Sequence, residues 1–364
     1  MVEIASATSR GENSTIAAEF SAPTEWCHYV DDNQGRFWLH VVFGSALALL
    51  AFLGNSLMLT VLSKNRQNRA SFNIYFIALS SLDAIMSFSY IPLMAMTIFI
   101  DSTGHSTMAF IQSHYLIPLM ALAHIAKTST AYVIVFAAVE RTAVSFTLEC
   151  NAALKRCRLR FILSALLIGI VAKLTSFFQF SFEMNRECIG TIREWTLAGT
   201  AVYYNIWHDI FKFCSTLVTV QETFLLLFIL CIILAKRKQH GQHSEDAEND
   251  RIFTQTLFLI VIGFLLCNAL NFVLTLLEPF IIQNIDAWRV LDTMHYCQAL
   301  FETLDCGLRI PIYFYCQPRL REEASVLAAS IFHRRNRSET KGEDAVSYLE
   351  VMETENHSAP LIVV

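Results

Sequence analysis

Tyr115-Leu-Ile-Pro-Leu-Met-Ala-Leu-Ala-His-Ile-Ala-Lys127-Thr-Ser-Thr-Ala-Tyr132-Val-Ile-Val-Phe-Ala-Ala-Val139-Glu140-Arg141-Thr142 is the stretch that decides the fold. It holds more apolar residue than a soluble helix of this length can hide. It is also long enough to cross a bilayer, which takes about 20 apolar residues. The run then stops on an adjacent acid and arginine.

The rest of the chain has the same character. Of its 364 residues, 54% are hydrophobic and only 16% charged, which places it among membrane proteins before any motif is read. The segment Met1 to Arg10 has no apolar core, so the first span is expected to act as its own insertion signal. Apolar runs predict spans over roughly 37–62, 72–100, 114–146, 161–182, 210–235, 252–277 and 290–316. The last is the weakest by hydropathy, because Asp292, Glu302, Asp305 and Arg309 interrupt it. Pro92 is expected to kink the outer half of the second. The expected fold is therefore an all-α membrane protein, a seven-transmembrane helix bundle over 37–316. A polar N-terminal segment, 1–36, precedes it. Apolar residues recurring at Leu320, Ala324, Leu327 and Ile331 predict a short amphipathic membrane-surface helix over 317–332, and 333–364 reads as a disordered tail.

Lysine and arginine in the short loops set the orientation. Lys64, Arg66 and Arg69 follow span one, Lys155, Arg156, Arg158 and Arg160 follow span three, and Lys236, Arg237, Lys238 and Arg251 follow span five. The opposite loops hold only Arg186, Arg193 and Arg289. The first set is expected in the cytoplasm and the N-terminus outside, at the plasma membrane. That leaves Asn13-Ser14-Thr15 as an extracellular glycosylation sequon.

Glu140-Arg141-Thr142 closing the third of seven spans resembles the Asp/Glu-Arg-Tyr triplet of rhodopsin-like G-protein-coupled receptors, with Thr142 in place of Tyr. Asn55 in span one and Leu79-Ser-Ser-Leu82-Asp83 in span two match that family's patterns. Within it, Ala123 to Tyr132 and Phe264-Leu-Leu-Cys267-Asn268 resemble invertebrate FMRFamide-type neuropeptide receptors, with nematode chemosensory receptors as close competitors. The chain also departs from the family. It has no Cys at the outer end of span three and no Pro in span five. Asn268 and Leu270 stand where Trp and Pro are usual. The span-seven motif is degenerate, Arg309-Ile-Pro-Ile-Tyr313, with a register ending on Tyr315 left open.

The resemblance implies a receptor that takes an extracellular peptide or small molecule between its helices and activates a heterotrimeric G protein, with arrestin as a further partner. Arg141 would contact the G protein. At rest Glu140 and Asp250 would both pair with it, and Tyr313 belongs to the same switch. Where the family keeps an Asn opposite the span-two Asp, this chain has Arg309. It is expected to bond Asp83, with Asp305 as second acceptor and Asn55 donating to the cluster. Without the span-three Cys, Cys188 needs another partner. Cys27–Cys297 is favoured because spans one and seven adjoin in this fold, and Cys27–Cys188 is the runner-up. Cys316, ending span seven, is expected to be palmitoylated. The terminal Leu361 to Val364 could add a strand to a PDZ domain.

The remaining charges within spans are ligand candidates, since such charges are expensive in hydrocarbon. Lys127 lies roughly 21 Å above Arg141 at the standard helical rise. Glu302 should reach a similar depth on span seven, and Asn268 joins this pocket. Lys173 and Glu222 read as locally satisfied packing residues.

No Gly-rich phosphate loop, His-Glu-x-x-His pair or Gly-x-Ser-x-Gly elbow points to an enzyme. No metal or cofactor and no nucleic-acid partner are expected. Span seven has no Lys for a retinal Schiff base. A channel or transporter is the alternative from another class.

Overall fold

The computed structural model describes residues 27, 33–64, 72–146, 151–173, 180–199, 206–237, 245–281, 285–318, 320–326 and 329. For a few of these only the backbone course is described, among them Asp209, Lys212, Asp250 and Asp292. Asn13, residues 333–364 and the terminal Leu361 to Val364 lie outside the described residues.

Among the described residues there are seven long helices. They are α1 (Gln34–Lys64) and α2 (Asn73–Thr103), α3 (Ser106–Phe146), α4 (Asn151–Lys173), α5 (Ile206–Arg237), α6 (Glu245–Ile281) and α7 (Ile285–Cys316). Four of them, α1, α2, the Ser106–Ala143 part of α3 and the Arg251–Leu277 part of α6, are long and apolar enough to cross a membrane. The charges on α7 explain why it falls short of that measure. Leu50 on α1, Val171 on α4, Phe228 on α5 and Leu266 on α6 stand exposed, while Arg309 and Asp83 are each 1% exposed. A polar interior inside an apolar shell is the reverse of a soluble bundle and suits a lipid surround.

Helix α3 packs against α2, α4, α5 and α6, and α7 closes the bundle against α1, α2 and α6. At the α1–α7 approach a Cβ on Gly54 would meet Ile310 Cδ1 at 2.2 Å, so a larger residue there would have to displace the end of that side chain. Helix α2 ends at Gly104, whose φ of 71° is the left-handed conformation that glycine adopts without strain. Its N–H donates to Ile100 O at 2.9 Å.

The kink expected at Pro92 takes the form of a π-helical segment, Ile91–Ala95, inside α2. Gln112 Nε2 at 3.3 Å and Tyr115 OH at 3.4 Å, both from α3, donate to the Pro92 carbonyl. A second π segment, Trp38–Gly44 of α1, packs against it. Tyr90 OH lies 3.3 Å from His40 Nδ1 across that contact.

Spans three and four differ from the expectation. Helix α3 starts at Ser106 rather than near His114. Helix α4 starts at Asn151, and its described turns end at Lys173. Phe180 to Phe182, expected at the end of span four, instead belong to a strand, β1 (Phe180–Met184), paired antiparallel with β2 (Trp195–Gly199). Phe182 faces Leu197 and Met184 faces Trp195 in the register. A short apolar run reads alike as a helix end or a strand, and here the backbone is satisfied across the hairpin.

The turn between the strands carries a 3-10 helix, Arg186–Cys188, capped by Asn185 Oδ1 accepting from Glu187 N at 3.1 Å. Cys188 is disulfide-bonded to Cys27, with Cα atoms 5.2 Å apart. This overturns the favoured Cys27–Cys297 pairing. Cys297 is a free thiol on α7, and the hairpin places Cys188 against Cys27 instead.

The chain divides into two units after Cys316. In the second, residues 320–326 are helical, Leu320 and Ala324 are buried and Arg321 and Glu322 exposed, with Leu327 and Ile331 outside the described residues.

Candidate functional site

The polar interior is organised by one face of α7. His295, Gln298, Glu302, Asp305, Arg309 and Tyr313 follow each other at helical spacings of three or four. Each is hydrogen-bonded or buried against a neighbouring helix.

At the centre sits Arg309. Its Nη1 donates to Asp83 Oδ1 of α2 at 2.7 Å, and its Nη2 donates to Asp305 Oδ2 one turn away. The guanidinium also lies 5.9 Å from the Phe264 ring of α6. An isolated charge here would be very costly, which is why the three groups converge. Tyr313 is wholly buried and Tyr315 is 77% exposed, so Tyr313 occupies the inward position of the two registers. Asn55 does not donate to the carboxylates. Its Nδ2 donates to the carbonyls of Ala51 at 2.9 Å and Cys306 at 3.0 Å, tying α1 to α7. Those backbone acceptors lie closer to it than the Arg309 cluster.

Higher on α7, Lys127 Nζ of α3 donates to Glu302 Oε1. Gln298 Nε2 donates to the same oxygen at 2.7 Å and to Asn271 Oδ1 of α6 at 2.8 Å. His295 Nδ1 lies 3.3 Å from Gln298 Oε1. A cavity of about 20 Å³ connects the two clusters, lined by Asp83, Met86, Lys127, Thr130, Phe264, Asn268, Glu302, Asp305, Cys306 and Arg309. That is room for about one water molecule. Asp83 Oδ2, Asn268 Oδ1 and Arg309 Nε have no hydrogen-bond partner among the described residues. Asn268 Nδ2 donates to Phe264 O at 2.9 Å, within its own helix.

Beside this pocket, Glu222 of α5 and Lys173 of α4 lie within electrostatic reach of one another. Lys173 and Glu222 are both buried. Glu222 Oε1 has no hydrogen-bond partner among the described residues.

At the Arg141 end, Glu140 is 1% exposed. Its expected partner was Arg141, but its carboxylate is taken by two other helices. Arg158 of α4 donates to Oε1 through Nε at 2.8 Å and Nη2 at 2.7 Å. Tyr75 OH of α2 donates to Oε2 at 2.8 Å. Arg158, which reads in sequence as a positive loop charge, is the eighth residue of α4. The Arg141 guanidinium lies over the Phe72 ring of α2 at 4.2 Å and the Phe253 ring of α6 at 5.0 Å. The rings continue inward, with Phe72 5.5 Å from Phe253 and Phe76 5.1 Å from Tyr313. Cys316 is free and buried beside Thr256 of α6.

Among the described residues no group of three or more His, Cys, Asp or Glu side chains could hold a metal ion. Neither the protein-family models nor the curated proteins contain a match to this chain.

Proposed function

We propose that the chain is a seven-transmembrane receptor of the rhodopsin-like type, with its N-terminus outside the plasma membrane, that couples an extracellular ligand to a heterotrimeric G protein. The observation that carries this reading is the buried charge column inside an apolar bundle. It runs from Lys127–Glu302 through Asp305–Arg309–Asp83 to the aromatic-clamped Arg141. Such a column gives the bundle alternative packings that a ligand at one end can bias, and population shift is the physical basis of receptor signalling. The ligand end is the Lys127–Glu302 level. The opposite end carries Arg141 and the loops rich in lysine and arginine, which is the cytoplasmic pattern.

The ligand favoured by the resemblance in Ala123 to Tyr132 and Phe264 to Asn268 is a neuropeptide of FMRFamide type. A small chemosensory molecule is the competing ligand class. A calcium or cAMP screen of cells expressing the chain against amidated peptides tests the reading. Agonist-dependent nucleotide exchange on a G protein supports it. Ligand-gated current without any G protein replaces it with a channel.

A further inference from the structure

We infer that the outer face of α4 binds phosphatidic acid in the cytoplasmic leaflet, with its phosphomonoester gripped by Arg156 and Arg160. This rests on α4 crossing the membrane, as proposed above, and not on G-protein coupling.

Residues along a helix are set about 100° apart, so Arg156, Arg160, Leu163, Leu167 and Val171 fall on one side of α4. All five are exposed. Arg158, Ile162 and Ala165 fall on the other side and are buried. The exposed residues form one stripe. Its apolar part calls for acyl chains, and the two arginines stand at its cytoplasmic end.

Nothing in the protein neutralises those arginines. No acid occurs in Asn151–Lys173. Neither Arg156 nor Arg160 has an acid partner among the described residues. Glu140, the acid that Arg158 meets, is already taken up by Arg158 and Tyr75. The charge of the pair is therefore left for an anion.

Depth selects the class of anion. Arg160 lies roughly 4.5 Å along the helix axis from Leu163, and exposed Leu159 stands on its cytoplasmic side. Its backbone is thus still at the edge of the apolar layer. A stem of this length carries the guanidinium to the level of glycerol and phosphate. Arg156 follows about 6 Å farther out along the axis.

Charge and geometry narrow the choice. Guanidinium forks pair with phosphate oxygens, and two of them one helical turn apart can take one phosphate from two sides. A phosphodiester offers a single charge, which one arginine satisfies. A phosphomonoester carries about −1.5 to −2 charges at neutral pH and a third free oxygen, which suits two. Phosphatidic acid has its monoester directly on the glycerol, at this depth. In an inositol lipid the monoesters stand beyond the sugar ring, and phosphatidylserine has none.

The experiment holds the purified full chain in phosphatidylcholine nanodiscs with a minor share of phosphatidic acid, phosphatidylserine or phosphatidylinositol bisphosphate. Tm and native mass spectrometry of the released protein read binding. Phosphatidic acid should raise Tm most and stay bound to the released chain. Inorganic phosphate added to plain phosphatidylcholine discs should do nothing. Arg156→Gln with Arg160→Gln should weaken phosphatidic acid binding about tenfold or more, as loss of a charge-assisted bidentate contact implies. Arg156→Lys with Arg160→Lys keeps the charge without the fork and should bind phosphatidic acid no better than phosphatidylserine. If a double variant fails to fold, Arg160→Gln and Arg160→Lys are read in the same way. Equal or greater stabilisation by either other lipid, a response to inorganic phosphate, or unchanged selectivity in the folded variants overturns the inference. Benzoylphenylalanine installed at Leu163 tests the span separately and should capture an acyl chain in the same discs. Acyl capture without any response to phosphatidic acid overturns the inference and leaves the span standing. No acyl capture overturns both.

Discussion

Arg309 joins Asp83 of α2 to its own helix, with Nη1 2.7 Å from Asp83 Oδ1 and Nη2 bonded to Asp305. A fixed cation thus stands between two carboxylates at the bundle centre. Arg309→Gln should destabilise the protein by about 3–5 kcal/mol, because it strands two buried carboxylates. Arg309→Gln with Asp83→Asn should cost less than Arg309→Gln alone, a non-additivity expected of direct partners. Thermal unfolding of the three variants in detergent checks this, and simple additivity would refute the pairing.

The same cation should make the native protein indifferent to sodium. Replacing sodium by a bulky organic cation at constant ionic strength should leave the Tm of the native chain unchanged. Arg309→Asn, if it reaches the surface, should gain stability from sodium, since a mobile cation can then serve Asp83. A native chain whose Tm already rises with sodium runs against a permanently occupied centre.

Glu140 ties three helices, and its two partners should differ in weight. Loss of Arg158 removes a two-point charged contact and leaves a buried carboxylate, so Arg158→Ala should cost about 3 kcal/mol or more. Tyr75→Phe removes one hydrogen bond to a charged group, worth about 1.5–3 kcal/mol. Unfolding midpoints compared in one detergent give the order, and a larger loss for Tyr75→Phe would reverse the assignment.

Arg141 lies between Phe72 and Phe253, so α6 contributes to holding it. A desolvated cation–π contact is worth about 2 kcal/mol. On the receptor reading, Phe253→Leu should raise basal nucleotide exchange several-fold at equal surface expression. Asp250→Asn tests the acid expected at the same end of α6. If neither variant changes basal exchange, α6 does not restrain Arg141.

The Cys27–Cys188 bond makes a chemical prediction. Non-reducing peptide mapping should recover Cys27 joined to Cys188, with Cys297 open to alkylation after unfolding. Cys188→Ser should lower surface expression, and Cys297→Ser should leave it near the native level. A Cys27–Cys297 peptide would contradict the hairpin geometry.

The interior was the more legible part of this sequence. A charge inside an apolar span must find a partner, and helical rise fixes its depth. Counting from Arg141 and Tyr313 therefore brings Lys127 and Glu302 level, and Arg309 can reach few acids other than Asp83 and Asp305. The ends were less legible. Phe180 to Phe182 is as apolar as the end of a helix, and only the pairing with Leu197 makes it a strand. Spacing alone does not fix disulfide connectivity. Arg158 looked like a topological loop charge because nothing in the sequence reveals that α4 begins at Asn151 and carries that side chain inward to Glu140. The partners of Asn55 are hidden for a related reason. Main-chain carbonyls of Ala51 and Cys306 compete for its amide, and carbonyls leave no mark in a sequence.

The polar face of α7 also bears on how the protein is made. On the seven-span reading, Glu302, Asp305 and Arg309 would enter the bilayer on one segment, and single charges near the middle of an isolated helix oppose insertion by about 2.5–3.5 kcal/mol each. Their partners Lys127 and Asp83 lie on α3 and α2, which the ribosome releases first. The seventh segment would then be a client of its predecessors during biogenesis, integrating as those partners receive it. A nascent chain lacking Asp83 or Lys127 should leave this last segment stalled in the translocon, where quality-control proteases find it.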